Sequence, residues 1–294
     1  MHTFEQAVQA IIHGEADRLR QLLDQEPNLI QARANAKHRA SLLHYVSANG
    51  VEDALQRTPP NACEIAEIVL SAGADANATA SMYSDNQDTA LDLLVSSFHP
   101  FLAGVQADLV EVYVRHGANI NGLRGDGAPL GLALANGYRR SAERLAALGA
   151  RVDNLYFAAG IGLLELVQDY VKADGTCIPT DGDIPHNPRS QSGAFGWPPP
   201  NAKDPRIPAF IVACYHGRLA VAQYLLQTGL DVNASASFGQ TALHFSCLTG
   251  QMDIVRWLVA KGADTQAADQ QFGKTPKQWA EWGNEAEIAA FLTV

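Results

Sequence analysis

The sequence predicts an all-α solenoid of about eight helix-turn-helix units, joined by hairpin fingers and interrupted by one long irregular loop. Three observations predict it. First, the start Thr241-Ala242-Leu243-His244 has a counterpart at Thr275-Pro276, 34 residues later, and another at Pro208, 33 residues earlier. Second, a Gly-Ala pair closes each template unit 21 residues after its start, as Gly262-Ala263 follows Thr241 and Gly149-Ala150 follows Ala128. Third, the stretches between are apolar at helical spacing, with a glycine such as Gly217 or Gly250 near the middle. A unit of this length cannot shelter its own apolar face, so neighbours must stack to bury it.

The units follow in order along one domain spanning 1–294. The first begins near Glu5 and carries Ala10 and Gly14. The second starts at Ser41-Leu42-Leu43-His44, the third at Thr89, the fourth at Ala128-Pro129-Leu130 and the fifth at Asp153. The sixth starts at Pro208, the seventh at Thr241 and the eighth at Thr275. Thr241 and Thr275 suit the N-cap, where a hydroxyl accepts a hydrogen bond from an orphan backbone N–H. Pro129 and Pro276 suit the first turn, which needs no donor. Gly217 and Gly250 are expected to end the first helix in the left-handed region. The Leu, Ile and Val residues of the second helix supply the apolar stripe. Trp279 and Trp282 are expected to pack within a terminal cap, whose polar outer face is Glu281, Glu285 and Glu287.

The run Gly239-Gln240-Thr241-Ala242-Leu243-His244 through Gly250 to Gly262-Ala263-Asp264 resembles the ankyrin consensus. The resemblance covers nearly the whole chain and is sharpest in the last three units. It implies helix pairs joined by fingers, and a binding surface made of finger tips and inner helices. Leu43-His44-Tyr45-Val46, Asn49-Gly50-Val51-Glu52 and Thr58-Pro59-Pro60-Asn61 are also similar to a group of uncharacterised bacterial ankyrin proteins with inserted loops, which supplies no function.

Departures from the period locate the irregular parts. Ser41 to Gly73 spans 32 residues, so about 11 are inserted near Leu55–Cys63, where Thr58-Pro59-Pro60-Asn61 predicts a loop. Thr89 to Gly117 spans 28, an excess of about seven near Ser96–Gly104. Both insertions fall between the two helices of one unit. Ala128 to Asp153 is only 25, so that finger is cut short. Asp153 to Pro208 is 55, and the excess makes the long loop 176–207, rich in proline and carrying Phe195 and Trp197. Such a loop is a recognition arm or is pinned to the stack by its two aromatics.

Composition excludes several functions. The formal net charge is −10, from 21 Lys and Arg against 31 Asp and Glu. Nucleic-acid binding is therefore not expected, since that affinity comes from cations neutralising phosphates. Arg139, Arg140, Arg144 and Arg151 cluster locally, and the plainer account is a solvated helix face. The four cysteines form no C-x-x-C pair, and Cys214 and Cys247 are expected to be buried and inert. Met-His-Thr-Phe-Glu lacks the features of a signal peptide, and no apolar run reaches about 18 residues. A cytoplasmic setting without membrane contact is expected. Gly273-Lys274-Thr275 is not a phosphate-binding loop, because Ala268 stands where that motif needs glycine. His44 and His244 share one repeat position and are expected to tie neighbouring units.

These features predict a monomeric, non-enzymatic module without metal or cofactor, binding an unidentified protein. Its expected contact residues are Tyr83, Asp85, Arg124, Asp126, Phe238 and Phe272 on fingers, with Phe195 and Trp197 on the long loop. Phe238 and Phe272 recur 34 residues apart and either form a row facing the groove or pack together. Two alternatives stand beside this: a peptide, small-molecule or enzymatic site around 153–208, and an inhibitor that covers a basic target with its acidic surface.

Overall fold

The computed structural model describes residues 2–82, 87–178, 204–235 and 237–293. It divides into two compact units. The first comprises Met1–Ala133 with Arg140–Arg151, and the second Leu134–Arg139 with Val152–Val294.

In the first unit, helix pairs stack in chain order. They are α1 (His2–His13) with α2 (Ala16–Gln25), then α3 (Leu42–Ser47) with α4 (Ala62–Ser71). A finger of two short antiparallel strands follows, β1 (Thr79–Ser81) and β2 (Gln87–Thr89), in the register Thr79 to Thr89. Next come α5 (Ala90–Leu94), α6 (Phe98–Leu102) and α7 (Gln106–Arg115), and then α8 (Ala128–Ala135) and α9 (Arg139–Ala147), most of which belong here. Among the described residues the second unit holds four pairs: α10 (Leu155–Ile161) with α11 (Leu164–Tyr170), α12 (Arg206–Tyr215) with α13 (Leu219–Gln227), α14 (Ala242–Leu248) with α15 (Met252–Ala260), and α16 (Pro276–Trp282) with α17 (Ala286–Phe291).

Local chemistry sets these boundaries. Ser41, Thr89, Thr241 and Thr275 each cap a first helix within a capping box, whose partners are His44, Asp92, His244 and Gln278. The fifth start is displaced by one residue from its expected place. Asn154, not Asp153, caps α10, its Oδ1 accepting from the Phe157 N–H at 2.8 Å. After the first helices the chain turns at positive φ: 74° at Gly50, 74° at Gly217 and 72° at Gly250.

The outer helices of the first unit are laced by half-exposed ion pairs. Arg20 meets Glu64 at 2.7 Å, and Arg115 and His116 both meet Glu67. Arg144 meets Glu111 and, at 3.6 Å, Asp108. Finger bases are clamped by amide side chains. Gln31 donates to Gly73 O at 3.1 Å. Asn77 donates to Gly117 O at 2.8 Å while its oxygen accepts the Asn119 N–H at 2.7 Å. Asn121 accepts the Arg151 N–H at 2.9 Å, and in the second unit Asn233 accepts the Asp264 N–H at 2.8 Å.

The insertion between α3 and α4 forms a loop with a short 3-10 turn at Asp53–Leu55, pinned where Asn61 donates to Gly14 O at 3.0 Å. The insertion after α5 is more ordered than the sequence suggests, because it folds into α6. Ser97 donates to Ala48 O at 2.9 Å. The Gln106 amide donates to Leu94 O and Ser97 O, both at 2.9 Å, and Ser141 donates to Gln106 Oε1 at 2.6 Å. Most of the long loop lies outside the described residues. Its entry is a small hairpin at the Val171–Cys177 bridge. Its exit is anchored by Arg206, which pairs with Asp204 at 2.6 Å and donates to Thr228 O at 3.0 Å.

Candidate functional site

The first helices, which would floor an open groove, are largely sealed. In the first unit Tyr45 is buried, with Phe4 set edge to face at 6.0 Å and His38 at 6.3 Å between ring centroids. Its hydroxyl donates to Glu52 Oε2 at 3.1 Å, and His38 Nε2 lies 3.4 Å from Glu52 Oε1. Burial, with the Glu52 charge adding to it, pushes the Tyr45 phenol above its usual range. The Ala40 N–H donates to His38 Nδ1 at 3.1 Å, so His38 carries its proton on Nε2, facing Glu52. The inserted loop thus closes over α3 through a polar contact.

In the second unit the floor is aromatic. Tyr215 and Phe245 lie 5.1 Å apart, and Phe245 and Trp279 5.3 Å. Trp279 is fully buried and its indole N–H donates to Asp269 Oδ2 at 3.0 Å. Asp269 also accepts from the backbone N–H groups of Gln271, Phe272 and Lys274. Burial opposes its charge, but these donors win and hold the carboxyl below its usual range.

His44 and His244 act as expected. The Ser41 N–H donates to His44 Nδ1 at 3.3 Å, leaving Nε2 to donate toward Asp88 O at 3.4 Å on the next finger. His244 repeats this, accepting the Thr241 N–H at 3.2 Å and donating to Lys274 O at 3.2 Å. Burial is the main cause that lowers both imidazoles, His44 to about 4. Cys214 and Cys247 are buried, and burial raises both thiols, Cys247 to about 12. Such thiols stay protonated and are poor nucleophiles.

The sequence-derived contact residues meet different fates. Arg124 and Asp126 share one tight turn beside the half-exposed Leu123. Asp126 Oδ1 accepts the Ala128 N–H at 3.1 Å and so also shapes the start of α8. Phe238 is half exposed at a φ of 64°, and its carbonyl accepts the Gln270 N–H at 2.7 Å, joining two fingers. Phe272 packs edge to face on Trp282 at 5.3 Å and on Trp279 at 6.4 Å. It belongs to the tryptophan cluster while keeping part of its ring in solvent. Tyr83, Asp85, Phe195 and Trp197 lie outside the described residues. Of the arginine cluster, Arg144 is paired with carboxylates and Arg151 donates to Gly125 O.

Sequence reasoning missed one exposed group. Phe98, Phe101 and Leu102 stand in solvent on α6. The stretch Phe98-His99-Pro100-Phe101 marked an insertion, but its apolar residues gave no sign of pointing outward. Among the described residues no group of three His, Cys, Asp or Glu side chains could hold a metal ion, and no helix is long and apolar enough to cross a membrane.

Comparison with known proteins agrees with the geometry. Residues 210–259 match the family described as ankyrin repeats in many copies. The chain is 34% identical over 109 residues to the palmitoyltransferase Hip14 of Drosophila melanogaster, covering 36% of this chain and 17% of that protein. It is 34% identical over 70 residues to the Notch-regulated ankyrin repeat-containing protein B of Danio rerio, covering 24% and 62%. It is 35% identical over 75 residues to the human ankyrin repeat domain-containing protein 63, covering 26% and 20%. The human ASB11 ankyrin repeat domain is a similar solved structure, with a TM-score of 0.45 and 19% identity over 99% of this chain and 96% of that one. The chain spans under a fifth of the palmitoyltransferase and under two thirds of the Notch-regulated protein.

Proposed function

We propose that this ankyrin-repeat chain is a non-catalytic scaffold that holds a protein partner through its finger tips. Ankyrin repeats are protein-interaction modules, and the repeats here are intact from capping boxes to finger clamps. The observation that carries the reading is the division of exposed from buried residues. Tyr45, Phe245 and Trp279 of the first helices are buried, whereas Leu123 and Phe238 on the fingers are about half exposed. Large side chains held on rigid turns at low entropic cost are what a contact surface requires. Arg124 stands beside Leu123 in the first unit, and Phe272 beside Trp282 in the second.

The test is affinity capture with the full chain and with two variants, Leu123→Ser/Arg124→Glu and Phe238→Ser. The expected result is a specific partner whose recovery falls about tenfold with at least one variant, equal to a loss of about 1.4 kcal/mol. A partner recovered equally by both variants would move the contact away from the fingers. The alternative of a closed site around 153–208 falls largely on residues outside those described, and the acidic-inhibitor alternative remains one identity the partner can take.

A further inference from the structure

The first finger, residues 31–40, differs in charge from those that follow. It carries three cations within seven residues, Arg33, Lys37 and Arg39, and no acidic residue occurs between Glu26 and Glu52. Later fingers carry aspartates, as at Asp75, Asp126, Asp231 and Asp264. Three arginines of the outer helices are paired, Arg20 with Glu64, Arg115 with Glu67 and Arg144 with Glu111. Among the described residues, Arg33, Lys37 and Arg39 meet no carboxylate. Glu52 reaches this finger but is engaged by His38 at 3.4 Å and by the Tyr45 hydroxyl at 3.1 Å.

The two arginines are held in place. Arg33 Nη1 donates to Thr79 O on β1 at 2.9 Å and to Arg39 O at 3.4 Å, and Arg39 Nη1 donates to Ala34 O at 3.5 Å. Beneath them the Ala34 N–H donates to Ala40 O at 2.8 Å and the Arg39 N–H to Ala36 O at 3.1 Å. Arg39 sits at a φ of 55°, a left-handed position that arginine seldom takes. Lys37 and Arg39 are exposed and Arg33 is half-buried. Neutral carbonyls orient the guanidinium groups without cancelling their charge. Like charges are thus fixed on one short hairpin, and an anion is what relieves them.

We infer that this finger docks an acidic segment of the protein partner, a short extended run rich in Asp and Glu, with Arg33 and Arg39 taking carboxylates and Lys37 adding a third charge. The inference rests on the reading of the fingers as a contact surface, and it names the chemistry of one partner segment. A guanidinium fork matches a carboxylate two bonds at a time. A short carboxylate run can address one finger alone. A nucleic acid would carry its phosphates past that finger onto a chain of net charge −10, where repulsion opposes it.

The test is fluorescence anisotropy of a labelled peptide of about ten alternating Glu and Asp residues, titrated with the full chain to about 500 µM in low salt. The variants are Lys37→Glu, Arg39→Gln and the control Lys261→Glu, which changes the net charge as Lys37→Glu does but lies on the second unit. Arg33 is left in place because it also holds Thr79 O. The expected result is saturable binding by the wild type, weakened at least about fivefold by Lys37→Glu and by Arg39→Gln and less than about twofold by the control. Absence of saturable binding overturns the inference. Equal weakening by Lys37→Glu and by the control overturns it too, since net charge alone would then account for the binding. A labelled DNA duplex that binds more tightly than the peptide hands the finger to nucleic acid and overturns it as well. None of these outcomes touches the capture experiment with Leu123→Ser/Arg124→Glu and Phe238→Ser, so the two readings fail separately.

Discussion

At the scale of single residues, the two repeat-position histidines make folding depend on pH. Each must keep Nδ1 bare, because a backbone N–H points at it, and each must keep a proton on Nε2 to reach the next finger. A cationic ring would place two donors head to head inside a buried site. The folded His44 is held near 4, below its ordinary 6.5. Between those values the unfolded chain binds the proton and the folded chain does not, so stability is complete above about pH 6.5 and falls as pH drops toward 4. Thermal melts should shift downward from pH 7 to pH 5, by up to about 2 kcal/mol for His44. The variant His44→Gln should start less stable and show a shallower dependence. An unchanged slope in that variant would exclude His44 as the source.

At the scale of elements, close approach of helices decides what each position tolerates. Gly160 lies inside α10, where an added Cβ would meet Leu134 Cδ2 at 2.7 Å and Val212 Cγ2 at 3.2 Å. Intrinsic propensity favours alanine over glycine there by about 1 kcal/mol. Overpacking costs about 1–3 kcal/mol and is the larger effect. Gly160→Ala is therefore expected to destabilise by up to about 2 kcal/mol in urea unfolding; a stabilised variant would show that Leu134 and Val212 can give way to the added methyl group. The same scale shows what could be read in advance. The caps at Thr241 and Thr275, the left-handed Gly217 and Gly250 and the positions of the two insertions within a repeat were legible, because local chemistry at fixed spacing dictates them. The sealing of the groove floor by Glu52 and His38 was not, since it joins a loop to a finger of another repeat. Nor was α6. Its helix is held by Gln106 and Ser141, whose partners are fixed only once the repeats stack. Phe238 and Phe272 were singled out by their shared position, but only the neighbouring tryptophans distinguish them.

At the scale of the whole molecule, stability is passed between neighbours. In the second unit α12 packs on α14 and α14 on α16, with Tyr215, Phe245 and Trp279 continuous through them. Removing one large ring should loosen its neighbours first. Trp279→Ala costs about 3–5 kcal/mol by lost burial, and it also deprives the buried Asp269 of a donor. Hydrogen exchange is expected to quicken across α14 to α17 while α1 to α5 keep their protection. Uniform loss over both regions would instead mean that the chain unfolds as one cooperative block.

The amide clamps at the finger bases bear on how the first unit meets a pull on its ends. Gln31, Asn77 and Asn121 each fasten one turn to the next, and they lie in series along the stack. Links in series carry the same tension together, so the weakest of the three gives way first while the other two still hold, and the unit lengthens by one turn at a time.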